Sequence, residues 1–182
     1  APPPSCPRDP AQGIHIAADL SKPEDVELFI RQANEVLGDD PLHALVNNAG
    51  VSPKTPYKER LGCLNGDIEA WRDVFELNFF TPLTLSRGFA AALHRGKGAI
   101  CNITSIAGHY VHPFAGSAYS TSKAALSGLT REMAVEFAEL GVAAGAAGKR
   151  EEQTATVLCP RCRKENPAGA AFCQHCTEPL RA

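Results

Sequence analysis

Three short apolar runs, each handed on to a stretch of helical periodicity, limit what this chain can fold into more than any other feature. "GIHIAADL" (13–20) is β-rich and passes into "SKPEDVELFIRQANEVLG" (21–38), where Val26, Phe29, Ile30, Ala33 and Leu37 fall on one face. Ser21 is the expected N-cap of that helix, with Pro23 in its first turn, Glu24 three residues on and Gly38 as its stop. "HALVNNAG" (43–50) reads as a buried strand entering a turn, and the polar stretch 51–66 as a loop. From about Asp67 to His94 a long helix carries Trp71, Val74, Phe75, Leu77, Phe79, Leu83 and Phe89, and Pro82 should bend or split it. "GAICNITS" (98–105) is another buried strand, and helical spacing returns from Ser117 to Leu140. Strand alternating with helix is the signature of an α/β fold whose parallel sheet carries helices on its faces.

That grammar stops near Val142. "AAGAAGKREEQTAT" (143–156) is small, polar and charged and reads as a linker, while 157–182 are too few residues to build a hydrophobic core and need a staple. The opening "APPPSCPRDPAQ" (1–12) holds five prolines in its first ten residues and reads as a disordered end. The break near 143 is also what a truncated or joined gene product would show. With 44% hydrophobic residues, 21% charged residues and a net charge of -2, nothing points to nucleic acid, and no apolar run is long enough to cross a bilayer. Cys6, Cys63 and Cys101 are scattered thiols, which fits a reducing, cytoplasmic setting.

In "AYSTSKAAL" (118–126), Tyr119 precedes Lys123 by four positions, so on a helix the two side chains stack on one face. A tyrosine titrates near pH ~10, and a neighbouring cation favours its phenolate enough for acid–base work near neutrality. Upstream stand "ADL" (18–20), "NNAG" (47–50), "FELNFF" with Asn78, and "NITS" with Ser105, fourteen positions before Tyr119. In this order the motifs resemble the short-chain dehydrogenase/reductase family over residues 13–142, with its partial doubly wound, Rossmann-like sheet and helices on both faces. The resemblance implies an NAD(P)-dependent interconversion of small-molecule alcohol and carbonyl. It further implies that Tyr119 exchanges the proton, that Lys123 also binds the nicotinamide ribose, that Ser105 hydrogen-bonds the substrate oxygen, and that Asn78 holds a water linking Lys123 to solvent. Asp19 would meet the adenine, and Asn47, Ala49 and Gly50 would line the cofactor.

The family's opening strand and helix-opening glycine turn, which hold the pyrophosphate, have no counterpart in the sequence. Its first glycine is Gly13, and the GxG at Gly96-Lys97-Gly98 precedes a strand. Weak NAD or NADP binding and little turnover by this chain alone are therefore expected. Residues 13–20 and 43–47 would flank a gap of about 14 Å, three strand spacings, unless the fragment collapses to a three-stranded sheet. Open apolar edges, together with the helices at 67–94 and 117–140, would invite self-association.

"CPRCRKENPAGAAFCQHC" places Cys159, Cys162, Cys173 and Cys176 as C-x2-C-x10-C-x2-C, which resembles a zinc ribbon. Four thiolates make a closed tetrahedral zinc site with a structural role, and metal binding can supply the folding energy that so short a segment lacks. Phe172 is expected beneath the knuckles, His175 on the surface, and Arg163 and Thr177 stand where such knuckles often have glycine. The competing function is non-catalytic: a zinc-ribbon module that contacts another protein.

Overall fold

The computed structural model describes residues 13–147 and 156–167, together with 173, 175, 176, 178 and 180. The Pro-rich end 1–12, the middle of the expected linker (148–155), Phe172 and Thr177 lie outside the described residues. The first part runs α1 (Pro23–Leu37), β1 (Ala44–Asn47), α2 (Ile68–Phe75), a π-helical turn (Glu76–Phe80), α3 (Thr81–Gly88), α4 (Ala90–Gly96), β2 (Ala99–Ile103), α5 (Ser117–Glu136) and β3 (Ala143–Ala147). The three strands form a parallel sheet in the order β1-β2-β3.

Two expectations are corrected here. Residues 13–20 lie outside the sheet although their composition favours a strand: Gly13–Ile16 and Ala44–Val46 both line an apolar pocket of about 700 Å³ instead of pairing. The third strand comes from "AAGAA" (143–147), the start of the expected linker. Alanine and glycine are depleted in strands, so the segment carries no local signal. Tertiary pairing makes the strand: Ala143–Ala147 lies in register with Ala99–Ile103, Thr104 N–H donates to the Ala147 carbonyl at 2.7 Å, and Val142 is buried just ahead of it. A three-stranded sheet does result, from a different set of strands.

The expected helix over 67–94 is segmented. Asp67 caps α2 by accepting the Glu69 N–H. At the next step Pro82 has no N–H to return to the Asn78 carbonyl, and the chain widens into the π turn, with the Thr81 N–H reaching back to the Glu76 carbonyl. Helix α1 begins one residue later than expected: Lys22 is its N-cap, and Ser21 instead donates to Asp19.

Register fixes which face is inside. Leu45 opposes Ile100 and Asn47 opposes Asn102, and Ile100, Asn47 and Asn102 are all buried. Helices α1, α3, α4 and α5, with the residues directly after α3 and α5, bring Val26, Leu85, Phe89, Leu93, Met133 and Phe137 into one core with Ile100 and Val142. On the opposite face Val46 is 59% exposed. Asn47 donates to Asn102 Oδ1 at 2.8 Å, and Asn102 donates to Thr130 Oγ1 at 2.9 Å, tying β1 through β2 to α5 inside that core. Leu93 is fully buried where α4 meets this core. Leu93→Ala should lower the unfolding free energy by about 2–5 kcal/mol in urea titrations monitored by circular dichroism; a loss near zero would show that this cluster is not the core.

Candidate functional site

Parallel strands end together, so the segment after β1 (48–50) and the one after β2 (104–108) emerge at the same end of the sheet. Asn78 comes from the π turn and is fully buried. Its Oδ1 accepts the Val51 N–H at 2.8 Å, and its Nδ2 donates to the Val51 carbonyl at 2.9 Å and to Ser122 Oγ at 3.0 Å. That bidentate clasp holds the NNAG turn against the helix. A Cβ on Gly50 would fall 3.1 Å from Asn78 Oδ1 and 3.4 Å from Lys123 Nζ, so the bare glycine lets amide and ammonium close on the turn.

Lys123 projects from α5 into the same nook. It is only 4% exposed, and its Nζ donates to the Ile103 carbonyl at 2.7 Å, at the end of β2. Burial pushes its pKa below the ordinary lysine value. Nζ also sits 6.0 Å from the centre of the Tyr119 ring, one turn earlier on α5. The structure therefore brings together Gly50, Asn78, Tyr119 and Lys123.

Ser105 follows β2 and caps a 3-10 turn (Ile106–Gly108), its Oγ accepting the Ala107 N–H at 3.2 Å. That turn rests on α5 at Lys123 and Ala124, where a Cβ on Gly108 would lie 2.8 Å from the Ala124 nitrogen. Ser105 thus stands at the same sheet end as those four, and among the described residues no hydrogen bond joins it to the Tyr119 phenol. Asn47 turns inward: its amide donates to Asn102, and its Oδ1 is buried without a partner. Asp19 is exposed and lies four residues ahead of α1; hydrogen bonds from the Ser21 side chain and backbone hold its carboxyl below the usual range. Leu20, beside it, is tied to the helix layer by Thr81 Oγ1 at 2.8 Å. Sequence reasoning missed Ser122 and the Ile103 carbonyl. The first stood inside "YSTSK" as an unremarkable serine, and a backbone acceptor leaves no trace in residue type.

The second cluster is Cys159, Cys162, Cys173 and Cys176, whose sulfurs all lie within 4.8 Å of one another. The Cys159–Cys176 and Cys162–Cys173 sulfurs are 3.5 Å apart. A disulfide needs ~2.05 Å, while sulfurs bound at ~2.3 Å around a tetrahedral zinc would be about 3.8 Å apart. The donor set and spacing therefore fit such an ion. Strands β4 (Thr156–Leu158) and β5 (Glu165–Pro167) pair antiparallel around the first knuckle, where the Cys162 N–H points at Cys159 Sγ. Arg163 adopts φ 60°, the left-handed conformation that favours glycine, at the position where the sequence departs from the usual knuckle. Backbone N–H groups of His175 and Cys176 and the thiols of Cys162 and Cys159 overcome burial to bring Cys173 down to about 6. Against the lowering effect of the Glu178 backbone N–H, Cys176 is pushed up to about 12 by burial and by the thiols of Cys159, Cys162 and Cys173. Four thiolates so close repel one another unless a cation joins them. His175 is exposed, and its N–H points at Cys173 Sγ.

Comparison with known proteins bears on the first site. A family model described as short chain dehydrogenase matches residues 5–148. The chain is similar to Protein FixR of Bradyrhizobium diazoefficiens, with 45% identity over 149 residues that make up 82% of this chain and 54% of that protein. It is also similar to the galactitol 2-dehydrogenase (L-tagatose-forming) of Cereibacter sphaeroides, at 35% identity over 85% of this chain and 58% of the other. Among solved structures, an oxidoreductase of the short chain dehydrogenase/reductase family from Brucella ovis, in complex with a partially ordered NAD, superposes with a TM-score of 0.71. It is 48% identical, over 77% of this chain and 64% of that one. The chain spans about half the length of these curated relatives.

The clasp around Val51 is the load on which the site's geometry rests. Asn78→Leu keeps the volume and strands the Val51 N–H, the Val51 carbonyl and Ser122, so it should cost about 1–3 kcal/mol by denaturant titration. An unchanged midpoint would mean that water or another group satisfies those atoms.

Proposed function

Because the chain belongs to the short-chain dehydrogenase/reductase family, we propose that it carries the proton-transfer half of an NAD(P)-dependent interconversion of alcohol and carbonyl. The observation that carries this reading is Lys123. An ammonium almost wholly withdrawn from water, fixed at 2.7 Å to the Ile103 carbonyl and stacked below Tyr119, is costly to maintain as architecture alone. In this reading Tyr119 delivers its phenolic proton to the substrate oxygen during reduction and recovers it during oxidation. Lys123 stabilises the phenolate that is left. Ser105 holds the substrate oxygen, and Asn78 fixes the NNAG turn on which the site is built.

Bound NAD or NADP would supply or accept the hydride. Lys123 and Gly50 offer it the ribose and nicotinamide end, and Asp19 the adenosine end. Among the described residues the pyrophosphate is poorly served. Gly96 and Gly98 are packed onto the Leu42 backbone, with Cβ positions 2.3 and 2.5 Å from its carbonyl oxygen, so that pair closes a turn and cradles no phosphate. The purified 182-residue chain should bind NAD(H) and NADP(H) with dissociation constants in the millimolar range, against about −8 kcal/mol for a micromolar site. Calorimetric titration decides: a micromolar constant would overturn the idea that the pyrophosphate grip is absent here. Tyr119→Phe should abolish whatever turnover is found and leave nucleotide affinity within about twofold.

The four-cysteine cluster supports a second reading for the C-terminal part, a zinc ribbon that contacts another protein. With four protein ligands the ion has no open position, so its part is structural. The full chain should carry one zinc held by Cys159, Cys162, Cys173 and Cys176. Elemental analysis under reducing conditions checks this, and Cys173→Ser should remove the metal; zinc near zero in the parent chain would refute the site. Arg163→Gly should relieve the left-handed strain, worth about 1 kcal/mol, and tighten the metal about fivefold in chelator competition.

A further inference from the structure

The connection from β1 to α2 is long for a loop within a compact unit, and loops of this length are usually functional. It is also tightly built. Lys54 bridges Arg60 across a turn, Thr55 N–H donates to the Glu59 carbonyl, and Asn65 joins the Gly62 N–H to the Glu59 carboxylate. From this frame Leu61 plugs inward to 3% exposure, against Val74 and Ala118. The Ala118 N–H donates to the Leu61 carbonyl at 3.4 Å, and a Cβ on Gly116 would strike that same oxygen at 2.6 Å. The loop is therefore seated against the first turn of α5, immediately ahead of Tyr119.

Its two cations reach a different segment. Arg60 Nη1 donates to the His112 and Pro113 carbonyls at 3.3 and 3.2 Å, and Lys54 Nζ donates to the Phe114 carbonyl at 2.8 Å. Three successive carbonyls are thus gathered by two side chains of one loop. Residues 109–116 contain no helix or strand to hold them. They present Val111 and Phe114 at 82% and 75% exposure, just before the helix that carries Tyr119 and Lys123.

We propose that Lys54 and Arg60 are positioning residues that clamp His112–Phe114 and so shape the substrate-side wall beside Tyr119. The claim rests on the oxidoreductase reading for its kinetic consequence and on the hydrogen bonds alone for its structural one. Removing the two cations returns three carbonyls to water and frees the wall, while Leu61 keeps the helix start in place. Substrate fit should suffer, and proton transfer should not.

The test uses the full chain with Lys54→Met and Arg60→Met combined, which keep apolar stems and remove the donors. Amide hydrogen exchange by mass spectrometry should rise about tenfold or more in peptides covering 109–116, with α1 and β2 unchanged. Lys54→Arg, which keeps a donor, should stay near the parent rate. Exchange at 109–116 within about twofold of the parent would overturn the clamp. With NADPH and a panel of ketones, the double variant should raise KM about tenfold with kcat within about threefold. A fall in kcat at unchanged KM would overturn the assignment to the substrate wall. A parent chain with no detectable turnover even in millimolar excess of NADPH would count against the oxidoreductase reading, and the exchange result would still decide the clamp.

Discussion

The ammonium of Lys123, withdrawn from water and held by the Ile103 carbonyl, is the interaction around which the rest of the site is arranged. Such a group needs a fixed acceptor and walls that exclude water without crowding it. The end of β2 provides the acceptor. Gly50, with no side chain, and Asn78, clasped to Val51 from both sides, provide the walls. Ser122 steadies Asn78 from α5, one residue before Lys123, so the helix that brings the charge also fixes part of its container.

Each of those parts depends on the sheet. β1 delivers the NNAG turn, β2 delivers Ile103 and Ser105, and β3 completes the far side through its pairing with β2. The buried Asn47–Asn102–Thr130 chain of hydrogen bonds locks β1, β2 and α5 in one register, so a slip of one residue would turn these amides to the wrong face. The π turn at 76–80 is the corresponding device in the helix layer. Pro82 breaks the α pattern one turn after Asn78, and the widened backbone directs the amide at Val51.

The strands at 44–47 and 99–103 and the helix starting at Ser117 were legible in the sequence because they are long or strongly patterned. Asn78, singled out by the FELNFF motif, and Tyr119 and Lys123, singled out by their four-residue spacing, do lie around one nook. β3 was not legible, since "AAGAA" forms a strand only when β2 offers it an edge. Residues 13–20 misled in the opposite direction: among the described residues no neighbouring strand pairs with them, and propensity alone does not make a ladder. Arg163 fell between these cases. The sequence marked it as out of place for a knuckle, and the structure shows the left-handed backbone that explains why. The work of Lys54 and Arg60 was invisible because they bind carbonyls more than fifty residues away in the chain.

If Lys123 is a sequestered cation in a preformed nook, competitive amine labelling will find it protected. The native chain would be treated briefly with an acylating reagent and the modified lysines quantified by mass spectrometry. Lys123 is 4% exposed, whereas Lys22 and Lys97 are exposed, so the account predicts that Lys123 reacts far more slowly than these two and becomes equally reactive once the chain is unfolded in urea. Labelling of Lys123 in the native chain at the rate of Lys22 and Lys97 would contradict it.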